Sequence, residues 1–74
     1  MISIEEAKQL KPGDILYDIE LKNPDGSPQW WRVVSKKIWK TKPNAIRIEV
    51  KNRLNNISSV TEFDLQYFTL EKEE

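Results

Sequence analysis

The sequence predicts a small, mainly β domain with five short strands, a short amino-terminal helix and a one-turn helix before the last strand. Two observations indicate this fold. Apolar residues alternate with polar ones in several segments, and clusters of Pro, Gly, Asn and Asp separate those segments. Because 74 residues have room for one core, we expect a single domain over residues 1–71 and a flexible acidic tail over residues 72–74.

The amino-terminal segment predicts a short helix over about residues 4–9. Ser3 and Glu6 have the spacing of a capping box, in which each side chain accepts a hydrogen bond from the backbone N–H of the other residue. Apolar residues then recur at helical spacing. A Pro-Gly pair follows, and it is expected to end the helix because the residue before proline avoids the helical region.

The segment after this Pro-Gly pair predicts the first strand. Ile15, Tyr17 and Ile19 recur with period two, so we expect their side chains to face the core. Residues 23–26, Asn-Pro-Asp-Gly, have the composition of a tight turn, because proline presets φ at the second position and glycine tolerates a positive φ. A β-hairpin is therefore expected here.

Residues 29–39 form the longest predicted strand and contain all three tryptophans. Arg32 marks the more polar parity, so Trp31 is expected in the core and Trp30 on a partly exposed face. A turn is predicted at residues 42–44. In the strand after it, three β-branched residues alternate with charged ones, which indicates one buried and one exposed face.

The last third of the chain predicts two more strands, over residues 57–61 and near residues 67–70. A single helical turn is expected between them, with Thr61 as its cap and Asp64 at its third position. The predicted core of the domain consists of Ile4, Leu10, Ile15, Tyr17, Trp31, Val33, Ile46, Ile48, Val50, Val60, Phe63, Leu65, Phe68 and Leu70.

Three short motifs resemble SH3-like domains. Ile-Leu-Tyr-Asp at 15–18 resembles the start of the first SH3 strand, and Trp-Trp-Arg at 30–32 resembles the tryptophan pair of its central strands. Lys-Pro-Gly-Asp at 11–14 is similar to the opening of ribosomal and KOW-type SH3-like barrels. The resemblance implies a five-stranded SH3-like barrel. It does not imply a proline-rich ligand, because the segment between Tyr17 and Trp30 is shorter than the loop that builds a polyproline groove.

The residue types do not favour an enzyme. The chain has no His and no Cys, its serines lie in no nucleophile motif, and its two glycines form no phosphate-binding loop. We therefore expect a non-enzymatic binding protein that uses no cofactor and no metal. The absence of Cys suits a reducing cytoplasm, and no apolar run approaches the roughly 20 residues that span a bilayer. A monomer is expected.

The net charge of zero conceals three segments of opposite sign. Residues 1–26 carry three basic and six acidic groups (−3), residues 27–53 carry eight basic and one acidic (+7), and residues 54–74 carry one basic and five acidic (−4). A basic middle segment can form a basic face for a polyanion, or its strands can pair with acidic neighbours within one sheet. The pattern alone leaves both interpretations open.

The middle segment combines lysines and arginines with tryptophans, which indicates binding to single-stranded nucleic acid. In this interpretation the cations neutralise phosphates and the indole rings stack on unpaired bases. The candidate residues are Trp30, Arg32, Lys36, Lys37, Trp39, Lys40, Arg47 and Lys51.

Two alternatives use the same residues. The first is a protein–protein interaction module with an exposed aromatic patch, because Trp, Tyr and Arg dominate binding hot spots. A narrower form of it is a cage for a methylated lysine, which requires Tyr17, Trp30 and either Phe63 or Tyr67 to converge. The second is purely structural: Trp30 and Trp39 cover the ends of the barrel, and the lysines discourage aggregation of exposed strands.

Overall fold

A computed structural model describes residues 1–70, which form one five-stranded antiparallel sheet with the strand order β4-β3-β2-β1-β5. The elements in chain order are α1 (Ile4–Lys8), β1 (Ile15–Lys22), β2 (Pro28–Trp39), β3 (Lys42–Lys51), β4 (Ile57–Thr61), a 3-10 helix (Leu65–Tyr67) and β5 (Phe68–Thr69). The prediction of a mainly β domain with five strands is confirmed. The predicted tail, residues 72–74, lies outside the described residues.

Strands β4 and β5 form the two edges of the sheet. They do not pair with each other in the part of the chain that the structure describes, so the sheet is open and closure into a barrel is not confirmed. The molecule measures 43 × 22 × 16 Å. Its length matches β2, whose 12 residues span about 40 Å at a rise of about 3.3 Å per residue.

The predicted capping box of α1 is present. The backbone N–H of Glu6 donates to the Ser3 hydroxyl at 3.1 Å, and the backbone N–H of Ser3 donates to the Glu6 carboxylate at 3.0 Å. The helix buries Ala7 against the sheet. No helix among residues 1–70 is long and apolar enough to cross a membrane.

The core lies on one face of the sheet, which α1 covers. The prediction for β3 is confirmed: Ile46, Ile48 and Val50 are buried, and the charged residues between them point away from the core. The buried apolar residues are Ile2, Ala7, Leu10, Leu16, Val33, Ile46, Ile48, Val50, Val60 and Leu65. Trp31 is half-buried and packs against this cluster.

The predicted inward face of β1 is wrong. Leu16 and Asp18 are buried on this strand. Leu16 lies opposite Trp31, which packs on the core, whereas the preceding residue lies opposite exposed Arg32. Because residues directly opposite each other share a face, the pairing with β2 decides which parity of β1 is buried. The three residues predicted to face the core are only half-buried: Ile15, Tyr17 and Ile19.

Two further core predictions are wrong. Phe63 is 77% exposed because it lies in the turn that follows β4, and Leu70 is 36% exposed beyond the end of β5. Thr61 caps the turn as predicted: its hydroxyl accepts from the backbone N–H of Phe63 at 3.3 Å, and the Asp64 carboxylate accepts from the backbone N–H of Thr61 at 3.0 Å. The 3-10 helix begins after this turn, at Leu65.

The turn between β2 and β3 lies earlier than predicted. Trp39 pairs with Lys42, so residues 40–41 form the connection and the strand begins where the turn was expected. Pro43 is accommodated because it lies near the start of β3, where a strand tolerates proline. The two strands thus continue their pairing to the end of the hairpin.

Candidate functional site

The face of the sheet opposite the core carries four of the predicted basic residues in two cross-strand pairs. Arg32 on β2 lies opposite Lys51 on β3, and Lys37 lies opposite Arg47 on the same two strands. Because opposite residues share a face, all four project from one side of the sheet. We call these four residues the basic face. The predicted basic stripe therefore exists as a geometric feature.

Trp30 lies on the same side as the basic face. It precedes Arg32 by two positions on β2 and pairs with Tyr17 of β1. The ring is half-buried, and the guanidinium carbon of Arg32 lies 5.7 Å from its centroid, within the range of a cation–π contact. A partly exposed indole beside a cation offers a stacking surface next to a group that can bind phosphate.

A second aromatic and cationic pair lies near the end of the β2–β3 hairpin. The Nζ atom of Lys37 is 5.2 Å from the centroid of the half-buried Trp39 ring, and exposed Lys40 follows in the turn. Nine strand positions separate Trp30 from Trp39, which corresponds to at most about 30 Å. The predicted residues thus form two clusters along one pair of strands.

Lys36 does not belong to this surface. It lies opposite buried Ile48, which places it on the other parity of β2. Its ammonium group donates to the backbone carbonyl of Lys8, the last residue of α1. The carbonyls at the end of a helix lack partners within the helix, and a nearby lysine commonly satisfies one of them. Lys36 therefore ties the helix to the sheet.

The sequence interpretation missed Arg53, which lies beside Trp30. Two adjoining clefts share Trp30, Asn52 and Arg53. One of them extends toward the amide side chains of Asn23 and Gln29, and the other extends toward the basic face. Arg53 follows Lys51 by two positions, the spacing of residues on one face of a strand. The sequence predicts a turn at Arg53, however, and in a turn the alternation of side chains no longer assigns a face.

Hydrogen bonds hold both turns beside Trp30. The side-chain Oδ1 atom of Asn52 accepts from the backbone N–H groups of Leu54 and Asn56 at 2.9 and 3.0 Å. In the other turn, the hydroxyl and the backbone N–H of Ser27 donate to Asp25 and lower the pKa of its carboxyl below the ordinary 3.8; the charge of Arg53 has a smaller effect in the same direction. The end of the sheet near Trp30 is therefore an ordered surface.

One acidic residue interrupts the basic face. Glu49 is exposed on the same parity of β3 as Arg47 and Lys51, and it lies opposite Ser35. It is also the only acid between residues 27 and 53. Among the described strands, no acid lies directly opposite a cation of the basic face, so the acidic strands do not neutralise it through cross-strand pairs.

The residues required for a methyl-lysine cage do not converge. Tyr17 and Trp30 pair on the side of the basic face, whereas Phe63 borders a different cleft near Met1 and Tyr67 borders a third. Within residues 1–70, no group of three His, Cys, Asp or Glu side chains is placed to hold a metal ion.

No protein-family model matches this sequence, and neither a similar curated protein nor a similar solved structure was found. The interpretation of the site therefore depends on its own geometry.

Proposed function

We propose that this protein is a small, non-enzymatic binding domain that holds single-stranded nucleic acid across the outer side of β2 and β3. The main support is one observation: Trp30 lies half-exposed in a cleft that Arg32, Lys51 and Arg53 also line. Phosphates would contact the basic residues, and unpaired bases would stack on Trp30 and Trp39. We also propose that the open sheet is a variant of the SH3-like barrel, which the five strands and the one-turn helix before β5 support.

The spacing of the two aromatic clusters favours an extended ligand. A single strand that followed β2 from Trp30 toward Trp39 would pass the cation pairs of the basic face on the way. Each stacked base contributes about 1–3 kcal/mol, and stacking tolerates any base. The proposed function is therefore binding with little sequence preference.

The proposal is tested by fluorescence anisotropy of labelled, mixed-sequence single-stranded DNA and RNA of about 12 nucleotides, at about 50 and about 200 mM salt. Neutralising four or five phosphates predicts a slope of about −3 in log K against log salt, which corresponds to about 50- to 100-fold weaker binding at the higher salt. No anisotropy change at low salt with about 100 μM protein would refute the proposal.

Two variants separate stacking from charge. Trp30→Ala should weaken binding about 5- to 150-fold, since it removes one stacking surface, whereas Trp30→Phe should retain most of the affinity. Lys36→Gln is the matched control, because it removes a positive charge from the same strand on the opposite face. Equal losses in Trp30→Ala and Lys36→Gln would contradict a specific role for the outer side.

A further inference from the structure

The cleft that extends from Trp30 toward the amide side chains contains polar groups that stacking does not use. The turn before β2 supplies Asn23 to one wall, and the turn after β3 supplies Asn52 and Arg53 to another. We call this the Trp30 cleft, and the residues that line it are Asn23, Gln29, Trp30, Asn52, Arg53 and Leu54.

The side-chain amide of Asn23 has a fixed orientation. Its Nδ2 atom donates to the hydroxyl of Ser27 at 2.9 Å and to the backbone carbonyl of Pro28 at 3.3 Å. Because a carbonyl can only accept, the nitrogen has to lie on that side and the Oδ1 atom on the other. No described residue donates to this Oδ1 atom. Asn23 therefore has a hydrogen-bond acceptor available for a ligand.

The side-chain amide of Asn52 is fixed in the opposite sense. Its Oδ1 atom accepts from two backbone N–H groups of its own turn, so the free end of the amide is the Nδ2 donor. The next residue, Arg53, is exposed, and its guanidinium makes no hydrogen bond or close ion pair within residues 1–70. One turn thus presents an acceptor, and the other turn presents two donor groups.

We propose that the Trp30 cleft selects guanine at one position of the bound strand, an inference that rests on the proposed function. The purine would stack on the indole of Trp30. Arg53 would donate to O6 and N7 of the base, which is the commonest specific contact to guanine, and the Oδ1 atom of Asn23 would accept from N1–H. Elsewhere on the strand, stacking tolerates any base, so the cleft sets the register of the strand.

The order of donors and acceptors distinguishes guanine from the other bases. Guanine carries two neighbouring acceptors, O6 and N7, and its N–H groups lie on the adjoining edge. Adenine instead places its amino group between two acceptors, and uracil and thymine place an N–H between two carbonyls. Cytosine has a comparable order, but its single ring covers less of the indole. Gln29 does not discriminate, because its amide makes no hydrogen bond within residues 1–70 and can turn either way.

The test is fluorescence anisotropy with four labelled thymine strands of about 12 nucleotides, whose central base is G, C, A or T, at about 50 mM salt. The guanine strand should bind about 5- to 150-fold more tightly than the all-thymine strand. Equal affinities, or tightest binding of the cytosine or adenine strand, would overturn this inference and leave the proposed function standing. Binding of none of the four strands would refute both.

An exchange of arginine for lysine tests whether Arg53 contacts the base. Arg53→Lys keeps the positive charge and removes the planar fork that donates to two acceptors at once. The ratio of guanine-strand to thymine-strand affinity should therefore fall to about two or less. The matched control is Arg47→Lys, which makes the same exchange on the basic face and should keep the ratio. An unchanged ratio in Arg53→Lys would overturn the assignment of guanine to this cleft.

A second variant tests the free donor of Asn52. Asn52→Asp keeps an acceptor for the two backbone N–H groups of the turn and replaces the Nδ2 donor by an oxygen. The affinity ratio should again fall, because this oxygen faces the acceptors of guanine. Asn56→Asp adds the same charge to the same turn at a position that does not line the cleft, and it should keep the ratio. Equal ratios in the two variants would contradict a role for Asn52.

Discussion

Trp30 and Trp31 are adjacent in the sequence and lie in opposite environments. Trp30 contacts Arg32 on the basic face, whereas Trp31 packs against the core and borders a groove with three carboxylates. A strand sends successive side chains to opposite faces, so two identical residues can serve two different surfaces. The two tryptophans therefore belong to opposite sides of one sheet: Trp30 to the side of the basic face and Trp31 to the core side.

The charges of the two sides come from different parts of the chain. The basic face belongs to the central segment, with a net charge of +7, and the two strands of one hairpin bring its cations together. The groove beside Trp31 combines Asp18 and Glu20 from the first segment with Asp64 from the last. The folded chain, whose net charge is zero, thus separates these two groups of charges in space.

The largest expected effect is a difference in the free energy of unfolding between alanine variants of the two tryptophans. Trp31→Ala should lower the free energy of unfolding by about 3 kcal/mol, since it removes a large side chain packed on the core. Trp30→Ala should cost about 1 kcal/mol, from loss of its contacts with Arg32 and Tyr17. Urea unfolding measures both values. Similar losses in the two variants would show that the two rings share one environment.

The next effect distinguishes two acids of the groove. Asp18→Ala should destabilise the protein by about 1–3 kcal/mol, because two backbone N–H groups lose their acceptor at a buried site. Glu20→Ala, on the exposed neighbouring acid, should change stability by no more than about 0.5 kcal/mol. Urea unfolding at neutral pH compares them. If Asp18→Ala is as stable as the unchanged protein, the hydrogen bonds of Asp18 to the backbone of Glu20 and Leu21 do not stabilise β1.

A smaller effect concerns the salt dependence of nucleic-acid binding. The double variant Arg32→Gln and Lys51→Gln should reduce the magnitude of the slope of log K against log salt by about 1.4, because two phosphate contacts are lost. Lys36→Gln should leave the slope unchanged, since this lysine donates to the carbonyl of Lys8 on the other side. A slope that responds equally to both changes would mean that total charge, and not the basic face, determines binding.

The smallest expected effect is a pH dependence of stability that arises in the capping box of α1, outside both sides of the sheet. Hydrogen bonds with the backbone and then the hydroxyl of Ser3 hold the pKa of Glu6 below its ordinary value of 4.5. Because the folded pKa is lower than the unfolded one, the stabilisation is complete above about pH 4.5 and is lost as the pH falls through the folded pKa.

This pH effect is followed by NMR, through the Ser3 amide signal. Glu6→Gln should abolish the dependence of that signal on acid pH. A Ser3 signal that still titrates in Glu6→Gln would assign the effect to another carboxylate.

Local patterns predicted some features well. In β3, three β-branched residues alternate with charged ones, so only one face of the strand is apolar enough to be buried. The structure buries that face, with Ile46, Ile48 and Val50. The capping box of α1 depends on residues three positions apart, so no distant contact is needed to form it. The same alternation predicted that Arg32, Arg47 and Lys51 would share a surface.

Features that depend on pairing were predicted less well. Arg53 was missed because the turn before β2 and the turn after β3 become neighbours, at one end of the sheet, only when the two strands pair. Lys36 was assigned to the binding surface, but a register shift after Val33 places it opposite Ile48, on the core side. A bulge of this kind exchanges the odd-numbered and even-numbered residues that face the core, and no local sequence pattern marks the bulge after Val33.

The sequence by itself determined the element types, the two faces of β3 and the separation of Trp30 from Trp31, because these follow from spacing along one strand or one helix. Only the tertiary structure decided which face of β1 is buried, since Ile15, Leu16 and Tyr17 are all apolar enough for either side. It also placed Asp64 at the same groove as Asp18 and Glu20, although Asp64 follows them by more than forty positions in the chain.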